Sequence, residues 1–427
     1  MDTVSENTNE KKFIAQFIVL SIIAGGVSAL FTLAVNLATT VNLQLFHAKP
    51  FGMFVFIPLL FTLISFLLKK YFPYSDGSGL PQGYAIDVFS QEKLDNTYSI
   101  RAMVGKIILT FMSILAGASL GKEGPTIQIC SALYASIKNV SEARRRLLIK
   151  IGAGVGVAAA FNSPIGGMVF AIEEYVRHIN ARLATYLALG TGVAVYCANL
   201  LLGNQPYMGY INSNLLHPNY GVGLFALVIG GVCGLLGSLF TKLMVLMTVD
   251  QTFALNRWRR QHHLINAFFW GLVVACIGYY TAGYSFGNGA NSIHTFLDHN
   301  NSGPWYFSLC KFFGVLSSVA AGVPGGYFST ALSIGAGIGD LFHQLVPTNI
   351  PLVQFYLLGM AGFLAAITQS PITAVAMVVE ISNSSQFSLP ILLSAIIASY
   401  IAEFFGDSVY HQQVLNYIDK SRYAETK

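Results

Sequence analysis

The sequence predicts an all-α protein that crosses a membrane several times and consists of two homologous halves. The 427-residue chain is 54% hydrophobic and has a mean hydropathy of +0.58. Only 10% of its residues are charged, against about 25% in soluble domains. Apolar runs such as 51–68 and 222–240 have nearly the ~20 residues that a spanning helix needs, and several motifs occur twice.

The chain begins with a polar segment, residues 1–12, which we expect to be cytoplasmic. The apolar stretch 13–46 is too long for a signal-peptide core, so it predicts a retained first span or helix pair. Of the net charge of +5, much lies near the ends of apolar segments, which favours membrane orientation over nucleic-acid binding. Lys420 and Arg422 make residues 411–427 a short cytoplasmic tail, and we expect no appended soluble domain. The expected location is the cell inner or plasma membrane.

Little in the sequence favours an enzyme. The five cysteines are scattered singly, which is typical of packing rather than metal binding. There is no HExxH motif, and the nine histidines mostly lie in or beside predicted loops. We therefore expect no catalytic residue, no metal and no cofactor.

Three motifs recur in the same order at offsets between 201 and 210 residues. The pairs are YSDGSG (74–79) with YSFGNG (284–289), GKEGP (121–125) with GVPGG (322–326), and residues 152–174 with 359–381, which share seven identities. They predict two halves, residues 13–210 and 211–410. Such halves are typical of secondary transporters and related channels, whose binding site lies between the halves. The sequence alone leaves open whether the halves are inverted or parallel.

The repeated motifs place Gly, often with Pro, before apolar helical stretches, as in GSGLP (77–81), GKEGP and GVPGG. Glycine permits tight turns, and Pro in the first helical turn sacrifices no hydrogen bond. Helix starts inside a membrane present free N–H groups and the positive end of the helix dipole, which select an anion. The alternative is ordinary punctuation between complete spans.

Glu123 stands at the mouth of one such helix, before Gly124 and Pro125. A carboxylate there is stabilised by about 0.3–2 kcal/mol, and it occupies the place that a bound anion would take. It can act as a tethered competitor that leaves when protonated. The alternative is an ion pair with Lys122, but adjacent side chains do not face each other along a helix.

Two adjacent glutamates follow the apolar run 164–172. Glu173 has a counterpart in the second half, Glu380, which suggests a structural role shared by both repeats. Glu174 is matched by Ile381 and breaks the symmetry, which makes it the better functional candidate. A solvated glutamate at a helix end is the alternative.

Ser78 and Tyr410 offer hydroxyl groups as ligands. Ser78, within GSGLP, is also a good helix N-cap. Tyr410 also suits the belt of tyrosines at a membrane interface. For both residues these alternatives stay open.

Taken together, these residues resemble the CLC family of chloride channels and proton-coupled chloride antiporters. The matching motifs are GSGLP (77–81), GKEGP (121–125), NSPIGGMVFAIEE (162–174), GVPGGYF (322–328), QSPITAVAMVVE (369–380) and the late Tyr410. The resemblance implies a CLC-type inverted repeat of many tilted and broken helices. It also implies a homodimer in the lipid bilayer, with one pathway in each subunit.

The resemblance assigns roles to individual residues. It implies a chloride site formed by the hydroxyls of Ser78 and Tyr410 and by the backbone N–H groups of Tyr327 and Phe328. Glu123 becomes the external gating glutamate and Glu174 the internal proton-transfer glutamate. The supporting helix-start residues are Gly77, Gly79, Gly121, Lys122, Gly124, Pro125, Gly325 and Gly326, of which Lys122 adds positive potential.

The implied function is exchange of chloride for protons, and a passive voltage- or pH-gated chloride channel is the alternative. Glu174 favours exchange, since channels of this family generally lack an acidic residue there. One motif departs from the family: the usual Gly-Ile-Phe-Ala-Pro reads Gly-Tyr-Phe-Ser-Thr over 326–330. We expect this to alter anion affinity or selectivity. Ser78 is intact, whereas nitrate-selective members tend to carry proline there, so chloride remains the expected anion.

Overall fold

The structure of the chain is a computed structural model. It describes residues 2–176, 180–204, 206–209, 211, 213–217, 220–250, 254–298 and 302–418. The predicted boundary between the halves follows residue 210, which lies outside the described residues. Lys420, Arg422 and the rest of the tail from 419 onward also lie outside them.

The described residues are almost entirely helical. The α-helices are α1 (Asp2–Ala48), α2 (Met53–Tyr71), α3 (Leu80–Tyr84), α4 (Gln91–Thr97), α5 (Ile100–Leu115), α6 (Glu123–Ala135), α7 (Glu142–Phe161), α8 (Pro164–Phe170), α9 (Ala181–Leu202), α10 (Tyr220–Thr248), α11 (Ala254–Gln261), α12 (His263–Tyr280), α13 (Ala290–Asp298), α14 (Phe307–Ala321), α15 (Phe328–Leu345), α16 (Leu352–Thr368), α17 (Pro371–Ile381), α18 (Ser388–Glu403) and α19 (Val409–Gln413). A π-helical segment, Ala171–Val176, continues α8.

The part of the chain that the structure describes has six helices long and apolar enough to cross a membrane. A seventh arises if α4 and α5, which meet at a 41° bend, form one broken span. Three further apolar helices, α14, α16 and α17, are shorter than a full span. The prediction of a helical, multi-pass membrane protein with incomplete helices is therefore confirmed. Of the two alternatives for residues 13–46, the structure has one continuous helix, α1.

Helix packing repeats between the two halves. In the first half α1 packs on α9 and α6 on α7; in the second half α10 packs on α18 and α15 on α16. The pairs α2 with α12 and α8 with α17 join one half to the other. The sequence repeat is thus also a repeat of packing.

Glycine lets α15 and α16 approach each other closely. A Cβ on Gly335 would lie 2.1 Å from the carbonyl oxygen of Gly359, and a Cβ on Gly359 would lie 2.0 Å from that of Gly335. No side chain fits at either position without moving a backbone. Small residues are the usual means of close helix packing within membranes.

Candidate functional site

Three helix starts from the two halves meet at one point. The N–H of Gly121 donates to the carbonyl of Gly326 at 2.6 Å, and the N–H of Gly326 donates to that of Gly121 at 2.8 Å. The N–H of Gly325 donates to the carbonyl of Gly77 at 3.3 Å. The residues before α3, α6 and α15 are therefore in direct backbone contact.

The close approach of these backbones explains why glycine occupies these positions. Gly79 has a φ of +98°, a conformation that favours glycine, and a Cβ on it would lie 2.7 Å from the carbonyl oxygen of Gly124. A Cβ on Gly326 would lie 2.6 Å from the nitrogen of Gly124. Side chains here would push apart the helix starts whose N–H groups favour an anion.

Glu123 is the first residue of α6 and is fully buried at this meeting point. One carboxylate oxygen, Oε1, accepts a hydrogen bond from the Tyr207 hydroxyl at 3.1 Å. The other, Oε2, accepts one from the Ser329 hydroxyl at 2.5 Å. The carboxylate thus reaches from the start of α6 to the first turn of α15.

Lys122 turns away from its neighbour. Its ammonium donates to the hydroxyl of Thr32 on α1 at 2.9 Å and lies 5.9 Å from the centre of the Tyr207 ring. No ion pair between Lys122 and Glu123 is present among the described residues. The ion-pair alternative is therefore wrong, although the charge of Lys122 stays close to the site.

Two cavities adjoin the meeting point, and no described residue lines both. The first, here called the Lys122 cavity, has a volume of about 250 Å³ and is lined by Lys122, Tyr207 and several asparagines. The second, here called the Ser78 cavity, has a volume of about 320 Å³ and is lined by Ser78, Tyr327 and Gln413. Glu123 lines neither cavity and lies buried between their linings.

The Ser78 cavity carries an excess of cationic side chains. Lys69, Arg259 and Arg260 line it, together with Asp76. Burial, and then the neighbouring Arg260, lower the pKa of Arg259 to about 10, so its guanidinium remains charged at neutral pH. Such a lining raises the local concentration of anions.

Tyr327 and Tyr410 meet beside this cavity. Their rings stack with centroids 4.9 Å apart. The Tyr327 hydroxyl donates to Oε1 of Gln413 at 2.6 Å. Within the described residues, the buried Tyr410 hydroxyl has no hydrogen-bond partner. Its proton is therefore available to an acceptor that binds at this place.

Ser78 and Phe328 stand at the starts of two helices. The Ser78 hydroxyl accepts a hydrogen bond from the N–H of Leu80 at 3.3 Å, so the capping alternative is real, but a hydroxyl can donate at the same time. Phe328 is buried at the first position of α15. No described side chain caps that helix, which leaves its first N–H groups to another acceptor.

Glu174 lies in the π-helical segment and is only 6% exposed. Its Oε1 accepts a hydrogen bond from the Ser370 hydroxyl at 2.5 Å. The matching stretch of the second half continues as regular helix to Ile381. π-Helical turns often mark functional sites, and burial shows that the solvated-glutamate alternative is wrong.

Glu173 and Glu380 each cap the start of a helix in the other half. The carboxylate of Glu173 accepts the N–H groups of Ile372 and Thr373 at the start of α17, at 3.2 and 2.6 Å. The carboxylate of Glu380 accepts the N–H groups of Ile165 and Gly166 at the start of α8, at 3.3 and 2.8 Å. These paired contacts support the shared structural role predicted for the two residues.

A family comparison bears directly on this arrangement. The family described as voltage gated chloride channel matches residues 60–403. The chain belongs to the voltage gated chloride channel family. The starts of α3, α6 and α15, together with Tyr207, Tyr327 and the π-helical segment, lie within the matched residues, whereas Tyr410 lies beyond them.

Curated relatives in this family are moderately similar to the chain. Chloride channel protein C of Dictyostelium discoideum is 27% identical over 85% of this chain, which spans 58% of that protein. The H(+)/Cl(-) exchange transporter ClcA of Vibrio cholerae is 26% identical over 93% of this chain and 88% of the relative.

Solved structures share the fold at low identity. A slow cyanobacterial Cl-/H+ antiporter superposes with a TM-score of 0.79 at 21% identity, over 97% of this chain and 98% of the other. A CLC-type fluoride/proton antiporter also has a TM-score of 0.79, at 20% identity, over 93% and 96% of the two chains. The fold predicted from the resemblance is confirmed.

Sequence reasoning missed two buried lysines in this member of the voltage gated chloride channel family. The ammonium of Lys106 donates to the carbonyls of Asp76 and Gly77 at 2.7 and 3.0 Å. The ammonium of Lys311 donates to carbonyls of the second YSxGxG motif, including that of Gly287 at 2.6 Å. The two lysines are 205 residues apart, which lies within the range of the repeat offsets. A comparison of the two halves could therefore have identified them. Tyr207 lies in no repeated motif and had no such signal.

Proposed function

We propose that the protein exchanges chloride for protons across a membrane. The observation that carries the proposal is the buried Glu123 carboxylate, which lies between two separate cavities where three helix starts converge. Family membership and relatives named as H+/Cl− exchangers support it. We assign the protein to the cell inner or plasma membrane.

In the proposed mechanism, chloride binds where the starts of α3 and α15 meet α19. The hydroxyls of Ser78 and Tyr410 and the N–H groups of Tyr327 and Phe328 supply the donors. The unpaired Tyr410 hydroxyl and the uncapped α15 support this assignment. Hydrogen bonds to an anion are roughly twice as strong as neutral ones, which favours such a donor set.

Glu123 alternates between two states. When ionised, its carboxylate occupies the donors around Ser329 and blocks the anion path. When protonated, it loses its attraction for the helix starts and leaves, and the path opens. One proton is therefore taken up each time chloride displaces the carboxylate, which couples the two ions.

Glu174 supplies protons from the other side. A row of aromatic rings leads from its neighbour Tyr175 through Tyr84 to Tyr410, with centroid separations of 5.1 and 6.4 Å. Tyr175 also donates to the carbonyl of Leu80 at the start of α3. This row joins the π-helical segment to the proposed chloride site.

The proposal is tested with purified protein in chloride-loaded vesicles whose membrane potential is clamped by an ionophore. Chloride efflux and external pH are recorded together. Exchange predicts that chloride leaving the vesicles drives protons inward with no initial pH gradient. Chloride efflux without proton movement would instead establish a passive channel.

Glu123→Ala is expected to keep chloride movement and to abolish the coupled proton movement, because the carrier carboxylate is gone. Glu142→Gln is the matched control, since Glu142 pairs with Arg146 at an exposed end of α7. Intact coupling in Glu123→Ala would refute the mechanism.

We further propose a homodimer with one pathway in each subunit. Its support is the family resemblance, together with exposed apolar side chains on the repeat-related helices α8 and α17, such as Ile165 and Ile372. Cross-linking in vesicles tests it, and a uniformly monomeric product would contradict it.

A further inference from the structure

We propose that Ser329 and Tyr207 are positioning residues that hold the Glu123 carboxylate in the anion path and thereby slow exchange. The hydrogen bonds from their hydroxyls lower the turnover, and the size of this effect depends on pH. This inference rests on the proposed gating role of Glu123.

Both oxygens of the Glu123 carboxylate are engaged, each by one hydroxyl. Ser329 donates to Oε2 at 2.5 Å and Tyr207 donates to Oε1 at 3.1 Å. An ionised carboxylate can only accept, so both protons point towards Glu123. Of its two partners, Ser329 is 3% exposed and Tyr207 is half-buried.

The direction of the Tyr207 hydrogen bond is fixed by a further contact. The side-chain amide of Asn288 donates to the Tyr207 hydroxyl at 2.5 Å, so that oxygen already accepts and its own proton is left for Glu123. Asn288 is in turn held to α15, because the Ser333 hydroxyl donates to its carbonyl at 2.6 Å. Two hydroxyls thus hold the carboxylate directly, and Asn288 and Ser333 fix the position of one of them.

The charged and titratable groups around Glu123 leave this assignment intact. Lys122 donates to Thr32. A ring nitrogen of His294 lies 3.2 Å from the carbonyl oxygen of Tyr207. The Tyr410 ring stacks on the ring of Tyr327, two residues before Ser329. None of these groups makes a described hydrogen bond to the carboxylate, so the two hydroxyls carry its direct restraint.

The consequence follows from a departure from the family's usual motif. The family resemblance places an alanine where Ser329 stands, and an alanine has no proton to donate. Hydrogen bonds to a charged acceptor are stronger than neutral ones, so each hydroxyl favours the ionised, buried carboxylate over the protonated, displaced one. Removing either hydroxyl should release Glu123 more often.

The test measures chloride efflux from vesicles containing the full-length protein, native or with Ser329→Ala, Ser329→Thr or Tyr207→Phe, from about pH 4.5 to about pH 7.5. Ser308→Ala is the control: Ser308 is also buried, and its hydroxyl donates to the carbonyl of Ile334 elsewhere on α15. Thermal unfolding of each variant in detergent reports whether it folds.

We expect Ser329→Ala and Tyr207→Phe each to raise the turnover about 10-fold or more near neutral pH, in keeping with the loss of one charge-assisted hydrogen bond. The increase should become smaller towards acid pH, because protonation of the carboxylate removes the charge that strengthens both hydrogen bonds. Ser329→Thr, which keeps a hydroxyl, and Ser308→Ala should behave like the native protein.

Repeating Ser329→Ala in a Glu123→Ala background decides whether the hydroxyl acts through Glu123. No further rate change there supports the inference, and a persisting change overturns it. Unchanged or lower turnover in folded Ser329→Ala and Tyr207→Phe also overturns it. If Glu123→Ala uncouples protons while these variants have native rates, only the inference fails. Intact coupling in Glu123→Ala makes the proposed function itself fail.

Discussion

Glu173 and Glu174 are adjacent in the chain, and we predict opposite consequences when each is neutralised. Glu173→Ala should destabilise the protein and leave proton coupling intact, because its carboxylate caps α17 through two backbone N–H groups. Glu174→Gln should leave the fold intact and abolish coupled proton movement. The Glu173 carboxylate accepts two backbone N–H groups of α17, whereas the Glu174 carboxylate accepts the hydroxyl of Ser370, the residue before that helix.

The size of the stability effect follows from the contacts. A hydrogen bond to a charged group contributes about 1.5–3 kcal/mol, and a carboxylate at a helix N-terminus adds about 0.3–2 kcal/mol. Glu173 is only half-buried, which discounts both figures, so Glu173→Ala should cost about 2–3 kcal/mol. Glu380→Ala should cost more, because Glu380 also accepts a hydrogen bond from the Ser163 hydroxyl at 2.6 Å.

The assay pairs two measurements on the same protein samples. Thermal unfolding in detergent reports stability, and a lower Tm is expected for Glu173→Ala and Glu380→Ala but not for Glu174→Gln. Coupled flux in vesicles reports function, and only Glu174→Gln should lose it. Loss of coupling in a stable Glu173→Ala variant, or native coupling in Glu174→Gln, would refute the assignment of roles to these neighbours.

Two further substitutions test the packing of the site and of the helices behind it. Tyr327→Phe keeps the ring stacked on Tyr410 but removes the hydrogen bond to Gln413, so α19 is less firmly held. We expect chloride binding to weaken roughly fivefold, in line with about 1 kcal/mol, and calorimetry measures it; unchanged affinity would show that Gln413 needs no partner. Gly335→Ala drives a Cβ to 2.1 Å from a backbone carbonyl and should cost about 3 kcal/mol or more, seen as a lower Tm or loss of folded protein. Gly192→Ala, where no neighbouring atom lies within 4 Å, is the control and should be neutral or stabilising.

Composition and repeated motifs predicted much of the architecture. Low charge and long apolar runs predict a multi-pass membrane protein, because charged side chains and unpaired backbone groups are costly in the hydrocarbon region. The glycine motifs predict helix starts, and the structure brings three of them together around Glu123. The pairing of Glu173 with Glu380 followed from their equivalent positions in the two repeats. The assignments of Ser78, Tyr410 and Glu174 to chloride and protons remain predictions.

The remaining features depend on contacts between distant parts of the chain. Tyr207 and Ser329 reach Glu123 across 84 and 206 residues, and no local pattern marks such partners. Glu174 lies in a π-helical segment, whose wider turn is not revealed by a count of apolar spacing. Repeats are visible in sequence, whereas side-chain partners across the fold follow only from its packing.

The paired hydrogen bonds between Gly121 and Gly326 limit how the protein can expose its site to opposite sides of a membrane. Many transporters with repeated halves work by rocking one half against the other as rigid bodies. Here such a rotation would break the paired backbone hydrogen bonds at the centre of the site. It would also remove the carboxylate caps from α8 and α17. Access must therefore change through side chains and short helix ends moving within a fixed frame, so turnover should be insensitive to cross-links that lock the two halves together.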